Sequence, residues 1–364
     1  MNFTFSDEQA ALRNSVRAFL AKETPLSLVR EQIGAVDGVP AATWQAIVDL
    51  GWHALLIPES LGGLGLGLID AVVLQEEMGR ALFPGPFLSS SVLATRAAIA
   101  LGIDDRVRRL ADGSERGTVA IDEGGHGDPI DRIAVRATGR GNSYRLDGTK
   151  PLVIDVVGAD WVLVPARTRE GLQTFLVERP ASIMAETLDV TRRFGALHFD
   201  GTPAQPVGPR GDHGDIWRRI SDDGAVALAA ELIGVGEAAN QLAIDYAQAR
   251  VVFDQPLSKF QVTRHKAVDM LRAVELARVG THYAAWASDV DAPDRVSAVA
   301  MAKSAASEAA NYVTAECIQI HGGVGFTWEC DAHLYLRRAK VDDLLLGSQG
   351  WHRSRVADEY FASI

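Results

Sequence analysis

The chain has 364 residues, of which 47% are apolar and 23% charged, and its length predicts two or three packed domains. A net charge of −11 at pH 7 repels phosphate backbones, so nucleic acid is not an expected partner. Two cysteines without a CxxC spacing and nine histidines without an HExxH pattern argue against a disulfide scaffold and against a metal site.

The N-terminal residues contain neither a basic region nor an apolar run, so no secretory signal is predicted. No stretch of about 18 uninterrupted apolar residues occurs, so no membrane span is expected. Together with the few cysteines, these features lead us to expect a cytoplasmic protein.

The first block of the chain is predicted to be helical. Ser6-Asp-Glu-Gln is a capping signature, and the apolar residues that follow it recur at helical spacing. Trp44–Leu50 predicts a second amphipathic helix, and residues 69–81 predict a buried one. We therefore expect an N-terminal helical domain over residues 1–112.

The next block changes character. Residues 113–212 contain short β-rich stretches separated by turn residues such as Asp147-Gly148, which indicates an antiparallel sheet or a small barrel. Residues 213–364 return to helix. Long alanine-rich segments run over about 220–250, 259–289, 292–321 and 331–361. Four long helices with short links predict an antiparallel four-helix bundle, and the fold class is therefore α+β.

Two motifs in the third block suit an anionic cofactor. Arg250 stands at a helix end and Gln261 opens the next helix, so their side chains can hold an anion between them. Farther on, the consecutive glycines Gly322-Gly323 can turn their backbone N–H groups toward one phosphate. Taken alone, the first motif is also explained as a turn and the second as a helix C-cap.

In this order and spacing the motifs resemble the acyl-CoA dehydrogenase family, over nearly the whole chain. The stretches that carry the resemblance are Trp44…Gly51-Trp52…Pro58-Glu59…Gly62-Gly63-Leu64-Gly65, Leu146-Asp-Gly-Thr149-Lys150…Ala159-Asp-Trp161, Arg250-x-x-Phe253 to Gln261, and Gln319-x-x-Gly322-Gly323-x-Gly325. The family fold is a helical domain, a β domain and a four-helix bundle, which agrees with the three blocks.

The resemblance also implies a function. It implies FAD as the cofactor, α,β-dehydrogenation of an acyl-CoA thioester as the reaction, and an electron-transfer protein as the acceptor. It implies FAD contacts for Arg250, Phe253 and Gln261. For Gln319 and Gly322-Gly323 it implies contacts to the FAD of a neighbouring subunit.

The chain departs from the family at the catalytic base, the carboxylate that removes a proton from the acyl Cα. The resemblance places Leu346 at the usual glutamate position and Gly224 at the alternative position on the first bundle helix, and neither residue can accept a proton. Ala225 replaces an arginine that helps to hold CoA. In the middle domain, the stretches Ile121–Gly124 and Leu152–Ile154 match the family's flavin contacts in position but differ from them in residue type.

Glu231 lies seven residues after Gly224, on the same helical face and about 10 Å along it. It is a candidate for a displaced base, a polar pocket floor, or a structural acid paired with an arginine.

Three functional hypotheses follow. The first, which we prefer because both base positions are lost, is a subunit without the base that joins a homologous, base-bearing subunit in an α2β2 tetramer. The shorter subunits of bacterial family members that shorten steroid side chains resemble it. The second is a self-sufficient homotetrameric dehydrogenase that uses Glu231 or an aspartate near Gly224. The third is a flavoprotein of another reaction, or a binding protein, on the same fold.

Overall fold

The computed structural model describes residues 6–362 and begins with a helical domain. Its helices are α1 (Asp7–Glu23), α2 (Leu26–Glu31), α3 (Ala41–Asp49), α4 (Leu68–Arg80), a π-helix (Phe87–Ala94), α5 (Thr95–Ala100) and α6 (Asp104–Ala111). Short 3-10 turns follow α3 at Trp52–Ala54 and Glu59–Leu61. The Ser6 hydroxyl accepts a hydrogen bond from the backbone N–H of Gln9, and the Gln9 side chain accepts one from Ser6, so the predicted capping signature is present.

The middle domain is one seven-stranded sheet. Its strands are β1 (Gly117–Val119), β2 (Arg136–Arg140), β3 (Ser143–Ile154), β4 (Trp161–Thr168), β5 (Gly171–Glu178), β6 (Ser182–Met184) and β7 (Phe194–Val207). Because β5 pairs with both β7 and β4, the strands close into a small barrel. The pairings are antiparallel, except that β4 runs parallel to β1 and to the start of β2. Neither β1 nor β2 is joined to β4 by a hairpin, so the sequence pattern did not reveal that they run parallel to β4.

The C-terminal domain is a helical bundle. Its helices are α7 (Gly214–Ala249), α8 (Gln261–Asp289), α9 (Arg295–His321), α10 (Ala332–Leu344) and α11 (Gln349–Ala362), and a small hairpin of β8 (Val251–Val252) and β9 (Gln255–Pro256) joins α7 to α8. The prediction of one continuous helix over 331–361 is wrong. The chain leaves helical geometry between α10 and α11, where Leu346 has φ +55° and Gly347 has φ +102°.

The three blocks follow one another as the sequence predicts, which confirms the fold class. The predicted domain boundaries at 112/113 and 212/213 fall in connections between elements and stay predictions. In the described part of the chain, no helix has both the length and the apolar character that a membrane crossing requires.

Helix α4 of the first domain packs directly on α7 of the bundle. The backbones approach so closely that a Cβ on Gly79 would overlap the carbonyl oxygen of Glu231, and a Cβ on Gly234 would overlap that of Glu76. One continuous apolar cluster joins the helical domain, the sheet and the bundle. The position of α7 is therefore fixed by the helical domain as well as by the bundle.

Candidate active site

Gly224 and Leu346, the two positions where the resemblance predicts the base, meet in space. A Cβ built on Gly224 of α7 would lie 2.6 Å from Cδ1 of Leu346 and 2.5 Å from Cδ2 of Leu93. Both leucines are buried and belong to the cluster that joins the three domains. We call this point, defined by Gly224, Leu346 and Leu93, the apolar spot. The resemblance predicts a catalytic base at this point, and none of the three residues has a group that can take up a proton.

The loop that carries Leu346 is held by two buried side chains. Lys303 Nζ donates hydrogen bonds to the carbonyl oxygens of Asp343, at 3.0 Å, and of Gly347, at 3.4 Å. Nε2 of His352 lies 3.1 Å from the carbonyl oxygen of Leu346. Burial lowers the pKa of His352 to about 2, so the imidazole is neutral, and its Nε2–H donates to that carbonyl. These bonds direct Leu346 toward α7.

The two aspartates that precede the glycine on α7 are both engaged by arginines. The Asp222 carboxylate pairs with Arg295 at 2.9 Å and with Arg355 at 2.8 Å. The Asp223 carboxylate lies 3.3 Å from Arg96. Burial raises the pKa of Asp223, and Arg96 opposes that rise. Neither aspartate is thus a freely accessible carboxylate at the apolar spot.

Glu231 is almost fully buried and both of its carboxylate oxygens accept hydrogen bonds. Oε1 accepts from the guanidinium groups of Arg192 and Arg338, and Oε2 accepts from Gln75 Nε2 at 2.5 Å. Burial by itself would raise the pKa of Glu231, but the two arginines outweigh it and lower the pKa. The carboxylate is therefore ionised and fixed, which is the geometry of a structural acid.

The residues around Glu231 form a larger group. We call it the buried ionic cluster, which consists of Gln75, Asp189, Arg192, Glu231, Arg338 and Asp342. Arg338 Nε donates to Asp189 at 2.5 Å, while Arg192 lies 3.4 Å from Asp342. Neither Asp342 oxygen accepts a hydrogen bond within residues 6–362, and burial raises the pKa of Asp342 to about 7.

Sequence reasoning offered a structural acid paired with an arginine as one reading of Glu231, but it identified neither the arginines nor the rest of the cluster. Consecutive arginines stand at 192–193 and 337–338, and nothing local shows that these segments meet Glu231. The cluster connects α4, α7, α10 and the segment before β7, so it ties the three domains together through charge as well as through apolar packing.

The residues that the resemblance connects with FAD lie at one end of the bundle. The ring of Tyr246, near the end of α7, stacks on His321, at the end of α9, with 4.3 Å between ring centroids. The motif that begins at Arg250 and the motif at Gly322-Gly323 therefore both lie at this end of the bundle. The FAD-contact residues of the sequence analysis are exposed, namely Arg250, Phe253, Gln261, Gln319, Gly322 and Gly323.

Two of these features are open to a ligand. The Phe253 side chain is 86% exposed on a tight turn where its own φ is +50°. A Cβ built on Gly322 or on Gly323 would meet no atom within 4 Å in the described part of the chain. An aromatic ring and a glycine backbone are thus presented to solvent, where another molecule can cover them.

The matching positions of the middle domain are used internally. Lys150 Nζ is completely buried, donates to the Ile121 carbonyl oxygen at 3.2 Å and pairs with Glu123 at 2.7 Å. The side chains of Val153 and Ile154 are buried in apolar clusters. The polar side chains of the first stretch are paired within the domain, because Glu123 engages Lys150 and Asp122 lies 3.5 Å from Arg132.

Comparison with known proteins agrees with this architecture. Residues 6–109 match the model of the acyl-CoA dehydrogenase N-terminal domain, and residues 219–361 match that of the C-terminal domain. The chain belongs to the acyl-CoA dehydrogenase family, whose members are oxidoreductases that act on acyl-CoA. The resemblance found in the sequence is thereby confirmed.

Individual relatives cover the chain nearly end to end. The acyl-CoA dehydrogenase IpdE2 of Mycobacterium tuberculosis is 33% identical over 98% of both chains. A chain of the ChsE4–ChsE5 complex from Mycobacterium tuberculosis is 28% identical, with a TM-score of 0.88 and coverage of 99% of both chains. A glutaryl-coenzyme A dehydrogenase in complex with glutaryl-CoA shares the fold at a TM-score of 0.92 and 23% identity, with coverage of 100% of this chain and 98% of that one.

Proposed function

We propose that this chain is the subunit without a catalytic base in a heteromeric, FAD-dependent acyl-CoA dehydrogenase. In this proposal a homologous subunit supplies the base within an α2β2 tetramer. The observation that carries the proposal is the apolar spot, where Leu93 and Leu346 pack against Gly224. The resemblance assigns Gly224 and Leu346 to the two alternative base positions. Removal of a proton from an acyl Cα requires an acceptor at that point, and aliphatic side chains provide none.

The nearby carboxylates do not favour a self-sufficient enzyme. A general base must reach the proton that it removes either directly or through one water. Glu231 accepts hydrogen bonds from two arginines and a glutamine, and Asp222 pairs with two further arginines. Using either of them as a base would break buried ion pairs, which is costly in a medium of low dielectric constant.

The bundle fits one part of FAD. Arg250 is exposed, and in the described part of the chain no salt bridge engages its guanidinium, which suits a pyrophosphate. The N–H of Gly322 is used in the C-cap of α9, where it donates to the carbonyl oxygens of Ile318 and Gln319, but the Gly322-Gly323 backbone borders open space and Phe253 offers an aromatic face. When bound, FAD supplies the acceptor for the hydride that leaves the substrate.

The middle domain does not fit the flavin ring in the same way, because Val153 and Ile154 are buried and Glu123 pairs with Lys150. We therefore propose that the bundle of this chain contributes to an FAD at a subunit interface, while the partner subunit covers the ring.

The outer face of α8 supports association, since Leu276 is 68% exposed and Val279 is 54% exposed. The two-component ChsE4–ChsE5 complex among the structural relatives also supports it. A cytoplasmic location and an electron-transfer protein as the acceptor complete the proposal.

Co-expression with a homologous, base-bearing subunit tests the proposal. We expect the chain alone to oxidise acyl-CoA at least about 10²- to 10⁴-fold more slowly than the assembled enzyme, since a positioned base contributes about that factor. Flavin is counted per protomer in both preparations. The control is an assembly in which the partner's base carboxylate is replaced by the amide. Oxidation at ordinary rates by the chain alone would contradict the proposal.

Arg250→Ala tests the FAD interface in the same assembly. We expect about 10- to 100-fold weaker flavin binding, because a charge-assisted hydrogen bond contributes about 1.5–3 kcal/mol. The control is Arg272→Ala, which removes an exposed arginine from α8. Both variants should unfold at the same denaturant concentration as the parent protein. Unchanged flavin retention in Arg250→Ala would show that Arg250 does not bind the cofactor.

A further inference from the structure

The π-helix Phe87–Ala94 delivers a leucine to the apolar spot. All eight of its side chains are buried, and Leu93 is 2% exposed. π-helices are rare, and they frequently occur at functional sites because the wider turn displaces a side chain from its α-helical position. The Ser91 hydroxyl has no hydrogen-bond partner among the described residues. The local conformation thus leaves a buried polar group unsatisfied while Leu93 contacts α7.

We infer that Leu93 closes this chain's own acyl site, so that an acyl chain is admitted only to the site of the partner subunit. This inference rests on the proposed function and assigns Leu93 as the residue that determines where substrate binds. An acyl Cα must lie beside the position of the base if its proton is to be removed. At that position the methyl groups of Leu93 and Leu346 already flank the α7 backbone. An acyl carbon would have to displace one of them.

Displacement is opposed on both sides. Val92 and Ala94, the neighbours of Leu93, are fully buried in the cluster that joins the three domains, and protein interiors are packed too densely for a leucine to move into free space. On the other side, Lys303 and His352 hold the loop that carries Leu346. The acyl site is therefore closed by the packing of Leu93 and Leu346 themselves, without a lid or another moving element.

Ligand binding to the full chain without a partner tests the inference. The probes are free CoA and octanoyl-CoA, titrated calorimetrically into the parent protein and its variants. In the parent protein we expect the two ligands to bind within about 3-fold of each other, or neither to bind, because the acyl group gains no apolar surroundings. In Leu93→Ala we expect octanoyl-CoA to bind at least about 10-fold more tightly than CoA, because buried methylene groups add affinity.

Two further variants make the test decisive. Leu346→Ala opens the same point from the other side and should also create a preference for octanoyl-CoA, which covers the case that Leu93→Ala does not fold. Leu88→Ala removes the same number of atoms from the same π-helix, where its side chain is equally buried, and should behave as the parent protein does. Circular dichroism checks the folding of each variant.

The outcomes separate this inference from the proposed function. A preference of at least about 10-fold for octanoyl-CoA in the parent protein, without oxidation, would overturn the closure and leave the proposed function standing. Oxidation of octanoyl-CoA by the chain alone would overturn both. The closure is also wrong if Leu93→Ala and Leu346→Ala, where they fold, bind octanoyl-CoA no more tightly relative to free CoA than the parent protein does.

Discussion

Two points on helix α7, seven residues apart on one face, differ in the groups that surround them. At Gly224 the surroundings are apolar, and the glycine, Leu93 and Leu346 fill the place where the resemblance predicts a base. At Glu231 a carboxylate is present, but Arg192, Arg338 and Gln75 use both of its oxygens. The first point has the position predicted for a base but no acid, and the second has an acid whose two oxygens both accept hydrogen bonds.

The comparison shows that a carboxylate in a sequence is not evidence for a base until its partners are known. A buried ion pair fixes its members and contributes specificity of packing, whereas a general base must exchange a proton with substrate. Here the ionic cluster spans the three domains and the apolar spot lies where two helices and a loop converge.

The largest expected effect is on stability. Arg338→Met should lower the free energy of unfolding by about 3–5 kcal/mol, because it leaves Glu231 and Asp189 buried with Arg192 as their remaining cation. Urea unfolding measures it. Lys340→Met removes an exposed cation from the same helix and should change stability by less than about 0.5 kcal/mol. A loss below about 1 kcal/mol in Arg338→Met would mean that the cluster does not hold Glu231.

The next prediction concerns pH. Burial raises the pKa of Asp342 to about 7, above the value of about 3.9 in an unfolded chain, so the folded protein binds this proton more tightly. The stability that this group contributes is fully present below about pH 4 and is lost as the pH rises through about 7. Asp342→Asn lacks this titration.

The measurement is urea unfolding of both proteins from pH 4 to pH 9. The stability of the parent protein relative to Asp342→Asn should fall by a few kcal/mol between pH 4 and pH 7 and then become level. A difference that stays constant over the whole range would show that Asp342 is ionised throughout, and the account of the cluster would have to change.

Overfilling the apolar spot should cost less. Gly224→Ala places a Cβ against Leu93 and Leu346, and we expect it to destabilise the protein by about 1–3 kcal/mol. Gly280→Ala, at a position on α8 where a Cβ meets nothing within 4 Å, should instead stabilise it by up to about 1 kcal/mol. If the two substitutions have equal effects in thermal unfolding, the spot is not closely packed.

The double variant Gly224→Ala/Leu93→Ala sharpens this test. Because the smaller side chain makes room for the new Cβ, the two changes should be less destabilising together than the sum of the single variants. Additive losses would indicate that Leu93 and Gly224 do not share the contact.

The smallest expected effect is on catalysis. In the assembled enzyme, Glu231→Gln should change kcat/KM by less than about 3-fold, because the proposed partner supplies the base, whereas loss of a base costs about 10²- to 10⁴-fold. Steady-state oxidation of acyl-CoA measures it, with removal of the partner's base carboxylate as the reference. A loss of 100-fold or more in a Glu231→Gln assembly whose circular dichroism matches that of the parent would show that Glu231 is the displaced base and not a structural acid.

The sequence by itself determined the order of the three blocks, the helix start at Ser6 and the absence of an acid at Leu346 and Gly224. Periodicity and capping are local properties, and a residue type can be read directly at its position. The resemblance added the family, which the comparisons confirm. The cofactor contacts at Arg250 and Gly322-Gly323 remain predictions.

Only the tertiary structure decided which residues meet. Glu231 lies 39 residues from Arg192 and 107 from Arg338 in the chain, so no local pattern shows that they neutralise it. The end of α10 and the left-handed conformation of Leu346 depend on Lys303 and His352, which reach the loop from α9 and α11. Ion pairing and the filling of volume are set by segments distant in sequence, and for that reason the nature of both points on α7 became visible only in the folded chain.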